Sequence, residues 1–184
     1  MIDPASGPFL FDTSADSYLA RSSREAEREW LRAYLALYPV NVSVVTVIER
    51  MRGYALLLER SDSSRRPVIE TARNDYLRAF ETDVTSVLPL RTADALVAAE
   101  LMVAFPGAPS PPQRAHKLVE SRSERLSRWR FDIMIAATAL AAGLPLIHNN
   151  PEDFESLRAW IERFPERFPG VGPLELISVK RLAA

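Results

Sequence analysis

Cysteine is absent from all 184 residues. Its absence excludes a disulfide scaffold, a zinc-thiolate site and a thiol nucleophile. Long apolar runs are also missing, and no stretch approaches the ~18 residues that cross a bilayer. The opening Met1-Ile2-Asp3-Pro4 lacks the basic region and apolar core of a secretory signal. A cytoplasmic protein without a membrane partner is therefore expected. Lysine is scarce: 21 of the 23 basic residues are arginine, leaving Lys117 and Lys180. Genomic base composition accounts for such a bias, which also suits phosphate contacts. Charge of one sign is lacking, since 23 basic residues meet 24 acids for a net charge of -1. The basic excess that usually accompanies a nucleic-acid partner is thus missing from the whole-chain sum. There is no Gly-x-Gly-x-x-Gly, no P-loop and no Gly-x-Ser-x-Gly elbow, and His116 and His148 do not form a metalloprotease pair.

What is present is ordinary globular composition, 47% apolar and 26% charged, at a length that fits one domain over residues 1–184. Short apolar runs alternate with helical periodicity. Strands are expected at 9–11, 42–45, 84–90, 144–147 and 174–179. Helices are expected at 24–38, 46–60, 67–83, 92–105, 114–130, 132–143 and 153–164. In the helix after the second strand, Ile48, Met51, Ala55, Leu56 and Leu58 are read as turned inward. Pro106-Gly107-Ala108-Pro109-Ser110-Pro111-Pro112 is a loop within the domain. Alternation of this kind implies an α/β fold, with a mostly parallel five-stranded sheet flanked by helices.

Sites in open parallel sheets form beyond the carboxyl ends of the strands. Asp12 follows the first strand, and Glu49 lies near the start of the helix after the second. Asp132 opens the Ala-rich helix, and Asp153 follows the fourth strand. Singly, each suits a helix cap: Asp12, Asp132 and Asp153 as N-caps, and Thr46 with Glu49 as a capping box. Four acids at one sheet edge with no partnering lysine also suit a cation. Carboxylates crowded together do not all stay ionised without one. Oxygen ligands favour magnesium or manganese, which support phosphodiester hydrolysis. Asp16 and Asp94 suit either an outer ligand of such an ion or a solvated helix face, and the solvated reading is preferred.

These residues resemble the PIN domain family, and within it the VapC-type toxins of bacterial toxin–antitoxin pairs, from about residue 9 to 179. Phe9-Leu10-Phe11-Asp12-Thr13-Ser14 resembles the opening strand and its metal-binding Asp. The segment from Val42 to Gly53 resembles the second strand and the helix bearing the metal-linked Glu49. Asp132-Ile133-Met134-Ile135-Ala136-Ala137-Thr138-Ala139-Leu140 resembles the most diagnostic motif. Leu144 to Phe154 resembles the closing strand and its Asn-x-x-Asp-Phe. The resemblance implies a PIN-like (Rossmann-like) three-layer sandwich and a magnesium- or manganese-dependent endoribonuclease that leaves a 5′-phosphate and a 3′-hydroxyl. Asp12, Glu49, Asp132 and Asp153 would be its acidic quartet. Thr13, Ser14, Asn150 and His148 would support them, with Asn150 orienting Asp153 or a ligand water. The resemblance also implies an RNA substrate, a homodimer and a cognate antitoxin. His148 stands where the family usually has Thr or Ser, which introduces a group that titrates near neutrality.

Residues 114–130 carry Arg114, Lys117, Arg122, Arg125, Arg128 and Arg130 against Glu120 and Glu124, a local net charge of +4. Arg122, Arg125, Arg128 and Trp129 are candidates for holding RNA phosphates and stacking a base; a solvated face over a core tryptophan fits as well. If four acids serve a metal, the rest of the chain sums to +3, so the balanced total is compatible with RNA. Trp30, Tyr34 and Tyr38 suit either the core or an interface. Two rivals remain open. One is a PIN-like module that binds RNA or protein without cleavage. The other is a phosphohydrolase or receiver domain, disfavoured because Asp12 is not followed by a second Asp two residues on and Lys180 lacks a following Pro.

Overall fold

The protein is described from a computed structural model over residues 2–20, 22–111, 114–115 and 118–183. Its strands are β1 (Leu10–Phe11), β2 (Val40–Ser43), β3 (Thr85–Leu88), β4 (Arg114–Ala115), β5 (Leu118–Val119), β6 (Leu146–His148) and β7 (Leu176–Ser178). Its helices are α1 (Thr13–Leu19), α2 (Glu25–Leu35), α3 (Val44–Arg60), α4 (Arg66–Glu81), α5 (Thr92–Ala104), α6 (Arg122–Ala142) and α7 (Pro151–Arg163). Five strands form one sheet in the order β3-β2-β1-β6-β7, and every pairing is parallel. The expected α/β architecture is thus present, with a sheet parallel throughout. Among the described residues no helix is long and apolar enough to cross a membrane.

The shortest strand is the central one. Leu10 pairs with Asn41 on one side and Leu146 on the other, and Phe11 pairs with Val42 and Ile147. Successive side chains alternate faces. Leu10 and Leu146 therefore join the core built with α5, α6 and α7, while Phe9, Phe11 and Ile147 join that built with α1 and α2. Burial on both faces explains why these strands read as unbroken apolar runs.

The aromatic residues of α2 belong to the second core. Tyr34 is fully buried, stacks against both Phe9 and Trp30 and accepts a 3.0 Å hydrogen bond from the Phe9 amide. Trp30 Nε1 donates to the Ile2 carbonyl at 2.7 Å. Removing a buried ring of this size costs about 3–5 kcal/mol. The helix is a core element, which decides between the two readings of its aromatics.

Three boundaries differ from expectation, each for a local reason. β2 ends at Ser43, whose side chain accepts from the Val45 amide at 3.2 Å and caps α3. Val44 and Val45 are therefore helical, the Thr46–Glu49 capping box does not form, and Glu49 falls in the second turn. Ile48 and Ala55, expected inward, are exposed. Residues 114–119 include the antiparallel β4–β5 hairpin; Lys117 and His116 lie outside the described residues. Residues 122–142 then form one helix of 21 residues. The Ser121–Glu124 capping box starts it, with the Ser121 amide donating to Glu124 Oε2 at 2.9 Å. Gly143 ends it with φ +64, a left-handed conformation that costs a glycine little. Nothing between Arg130 and Asp132 breaks the backbone ladder, so Asp132 sits mid-helix instead of opening one.

Candidate metal centre

β1 runs directly into α1 through Asp12. Its Oδ1 accepts from the Ala15 amide at 2.5 Å, and Ser14 Oγ donates to both carboxylate oxygens at 2.9 and 2.7 Å. Ser14 Oγ in turn accepts from the Asn149 amide at 3.2 Å, and the Asp12 amide donates to the Ile147 carbonyl at 3.0 Å. The ends of β1 and β6 are laced together where the chain leaves the sheet in opposite directions, the crevice at which parallel sheets bind ligands. Asp12 is therefore a helix cap and a cleft residue at once.

A cleft of about 800 Å³ opens at this point. Asp12, Glu49 and Asp132 line it together with Thr13, Ser14, Asn149 and Asn150, and Arg24 and Arg128 also border it. Thr13 Oγ1 donates to Glu49 Oε2 at 2.5 Å, which fixes the α3 acid against the start of α1. Asp132 arrives from the middle of α6. It is 8% exposed, and its Oδ2 has no hydrogen-bond partner among the described residues. A mid-helix carboxylate caps nothing, so the cap explanation that covers Asp12 does not extend to Asp132.

The electrostatics follow from burial. Desolvation pushes the Asp12 carboxyl up to about 7, with Glu49 and Asp16 adding to the rise and the Ser14 and Ala15 hydrogen bonds opposing it. Burial raises Asp132 well above the ordinary carboxylate range, and the charges of Asp12, Glu49 and Asp153 raise it further, against Arg128. Glu49 is raised by burial, against its Thr13 hydrogen bond and the charges of Arg128 and Arg52. Buried acids with like-charged neighbours favour a proton or a cation.

The fourth acid is placed differently. Asp153 is buried behind the cleft lining, where it accepts from Ser110 N at 3.3 Å, Ser110 Oγ at 3.1 Å and Asn150 Nδ2 at 2.6 Å. Asn150 thus bonds Asp153, while Ser110 of the Pro-rich loop is a partner that no sequence motif announced. The charge of Asp153 still reaches Asp132. Among the described residues no three carboxylates or imidazoles are close enough to share one ion as the side chains stand. The donor set fits magnesium or manganese: hard oxygen atoms, one of them buried and unpartnered.

His148 is not on the cleft. It is 2% exposed, its ring lies 5.4 Å from that of Phe154, and it bonds to the Asn150 backbone. Burial lowers its pKa to about 4, so the expected titration near neutrality is replaced by a neutral core imidazole. The arginine series is also divided. A repeat of three residues drifts about 60° backwards around a helix at each step, and of Arg122, Arg125 and Arg128 only Arg128 lines the cleft. It pairs with Glu120 at 3.3 Å. Trp129 is 1% exposed and donates from Nε1 to the Phe105 carbonyl at 3.3 Å, so it is a core residue and stacks no base.

Asp16 and Asp94, read as solvated, are not. Asp16 pairs with Arg50 at 3.6 Å, and both are largely buried. Asp94 is fully buried and caps α5, accepting from the Arg91 amide at 2.9 Å. Arg24 and Tyr18, also on the cleft, were not candidates: their neighbours in sequence carry no pattern that separates them from a solvated helix end.

The PIN domain family model matches residues 9–159, most of the chain, and the chain belongs to the PIN domain family. No curated protein sequence matches it. Among solved structures, FitAcB from Neisseria gonorrhoeae is 20% identical, with 95% of this chain and 99% of that chain covered and a TM-score of 0.57. DNA-bound VapBC from Salmonella typhimurium is 20% identical, with 93% and 97% covered and a TM-score of 0.55. VapBC2 from Rickettsia felis, bound to a DNA fragment from their promoter, is 13% identical, with 92% and 97% covered and a TM-score of 0.56. At these identities the likeness is one of fold.

Proposed function

We propose that this chain is a divalent-metal-dependent endoribonuclease, a single PIN domain acting as the toxin of a toxin–antitoxin pair. The observation that carries the reading is Asp132: buried, mid-helix, without a capping role, with one oxygen that has no hydrogen-bond partner among the described residues, and raised by the charges of three neighbouring acids. A folded protein bears that cost most readily where function requires the charge. Asp12, Glu49 and Asp132 would hold a magnesium or manganese ion, with Asp153 supporting from behind. Such an ion, when bound, supplies polarisation of a phosphoryl oxygen and a more acidic water.

The remaining work falls to the chain itself. Ser14 and the Ala15 amide fix the Asp12 carboxylate, and Thr13 fixes that of Glu49. Ser110 and Asn150 hold Asp153. Arg128, in the same cleft, offers a guanidinium to a phosphate oxygen. RNA as substrate, a cognate antitoxin as partner and a homodimer rest on the resemblance to the VapC-type toxins. The fold likeness to VapBC and VapBC2, each described in complex with DNA, supports an antitoxin that couples the pair to DNA.

The test is cleavage of RNA with magnesium and with chelator, by the parent chain and by Asp132→Asn. Cleavage by the parent in magnesium alone, lost by at least about a hundredfold in the variant at unchanged circular dichroism, is the expected result. An undiminished rate in the variant overturns the assignment. RNA binding without metal-dependent cleavage by the parent identifies a binding module instead.

A further inference from the structure

Glu27 is unusually buried for an acid in the first turn of a helix, at 5% exposed. It collects the Tyr18 hydroxyl at 2.9 Å, the Ser22 hydroxyl and the Arg24 guanidinium at 3.3 Å. The Arg24 amide also donates to Ser22 Oγ at 3.2 Å. Burial would raise the Glu27 carboxyl, but the Ser22, Tyr18 and Arg24 contacts hold it below its ordinary value, so it stays ionised. These bonds fold residues 22–24 against the ends of α1 and α2. Arg24 is left 73% exposed at the margin of the acidic cleft. Arg128 borders the same cleft from α6.

A strand that places one phosphate among Asp12, Glu49 and Asp132 meets repulsion unless cations hold it on either side. Arg128 meets that need from α6, and Arg24, among the described residues, presents a cation from the α1–α2 connection. The acids Asp12 and Asp132 are only 2% and 8% exposed. A duplex carries its phosphates on a wide, stiff cylinder that cannot descend into a recess of about 800 Å³. An unpaired strand can. Resting on the ribonuclease reading, we propose that Arg24 is a phosphate-binding residue for single-stranded RNA crossing the cleft, and that Glu27 is the positioning residue that presents it.

The experiment measures binding of a short fluorescein-labelled single-stranded RNA across a salt series, on the full chain carrying Asp132→Asn so that the probe stays intact. Arg24→Ala is expected to weaken binding roughly tenfold, the loss of one charged hydrogen-bonding contact, and to reduce the salt slope by about 0.7. Arg24→Lys should recover part of the loss. Arg32→Ala, on the same helix and paired with Glu25, should bind as the parent does. Glu27→Gln should lose less than Arg24→Ala and add nothing to it in the double variant, a coupling that a general loss of stability would not give. A duplex of the same sequence should bind more weakly and without dependence on Arg24.

Parent-like binding by Arg24→Ala overturns the proposal, and so does additive loss for the Glu27 role. Equal, Arg24-dependent binding of the duplex overturns the single-strand assignment. If the chain with Asp132 intact cleaves no RNA yet binds it through Arg24, cleavage falls and this inference stands. If the chain binds no RNA, both fall.

Discussion

Two clefts flank α1 and share Thr13, Ser17 and Glu49 in their walls. Each has a buried acid from the same turn of chain, Asp12 in one and Asp16 in the other. Asp16 meets Arg50, whose guanidinium also bonds Ser17 and stacks 4.5 Å from the centre of the Tyr76 ring. Asp12 meets Glu49 and Asp132. Asp16 is compensated by an arginine, whereas Asp12 and Asp132 lie among like charge. Asp94, fully buried but capping α5, belongs with Asp16. Burial of a carboxylate does not by itself mark a site; burial among like charge without a paired cation does.

The largest test of this contrast is Arg50→Ala. It leaves Asp16 buried and alone, and should cost about 3–5 kcal/mol in urea denaturation. A loss below 1 kcal/mol, on the order of a surface ion pair, would mean that the two clefts do not differ as described.

Asp132→Asn should act in the opposite direction. In divalent-free buffer it should stabilise the fold by about 1 kcal/mol or more, because it removes an unpaired charge from among like charges. Urea denaturation with chelator present measures it, and destabilisation would contradict the electrostatic account.

A smaller effect separates the clefts by pH. The Asp12 carboxyl titrates at about 7 in the folded chain against an ordinary 3.8. The folded state therefore holds the proton more tightly. That contribution is fully present below about 3.8 and is lost as pH rises through about 7. With chelator, the melting temperature should fall between pH 6 and pH 8, and magnesium should recover it at pH 8 by binding the folded state. Asp12→Asn should flatten the slope. A melting temperature that rises over this interval would reverse the assigned sign.

The smallest effect concerns His148. Lowered to about 4 by burial, it contributes stability that is fully present above the ordinary histidine value of 6.5 and is lost as pH falls from there through about 4. Its ring resonances should stay constant by NMR from pH 6 to pH 8. A titration inside that interval would place it near the cleft after all.

The acids themselves were legible because strand-end position is a local fact. Asp12 follows an apolar run, and Asn150 stands three residues before Asp153, where a side-chain contact along the chain is short. Asp132 was located but misread: the motif beginning there suggested a helix start, whereas the true cap lies at Ser121–Glu124, two turns and more upstream. Trp129 followed from the same reading. An arginine-rich flank says nothing about which face α5 covers, and α5 covers the tryptophan.

Alternation of apolar runs with helical periodicity determined the α/β class and the order in which the strands appear, since period and spacing are properties of the chain alone, and the family was legible as a resemblance of four motif segments. Only the tertiary structure decided which acid is compensated. Arg50 for Asp16 and Ser110 for Asp153 are contacts between segments distant in sequence, and Asp132 Oδ2 meets no hydrogen-bond donor among the described residues. The energy of a buried charge depends on what packs around it, and that is fixed when the helices close over the sheet.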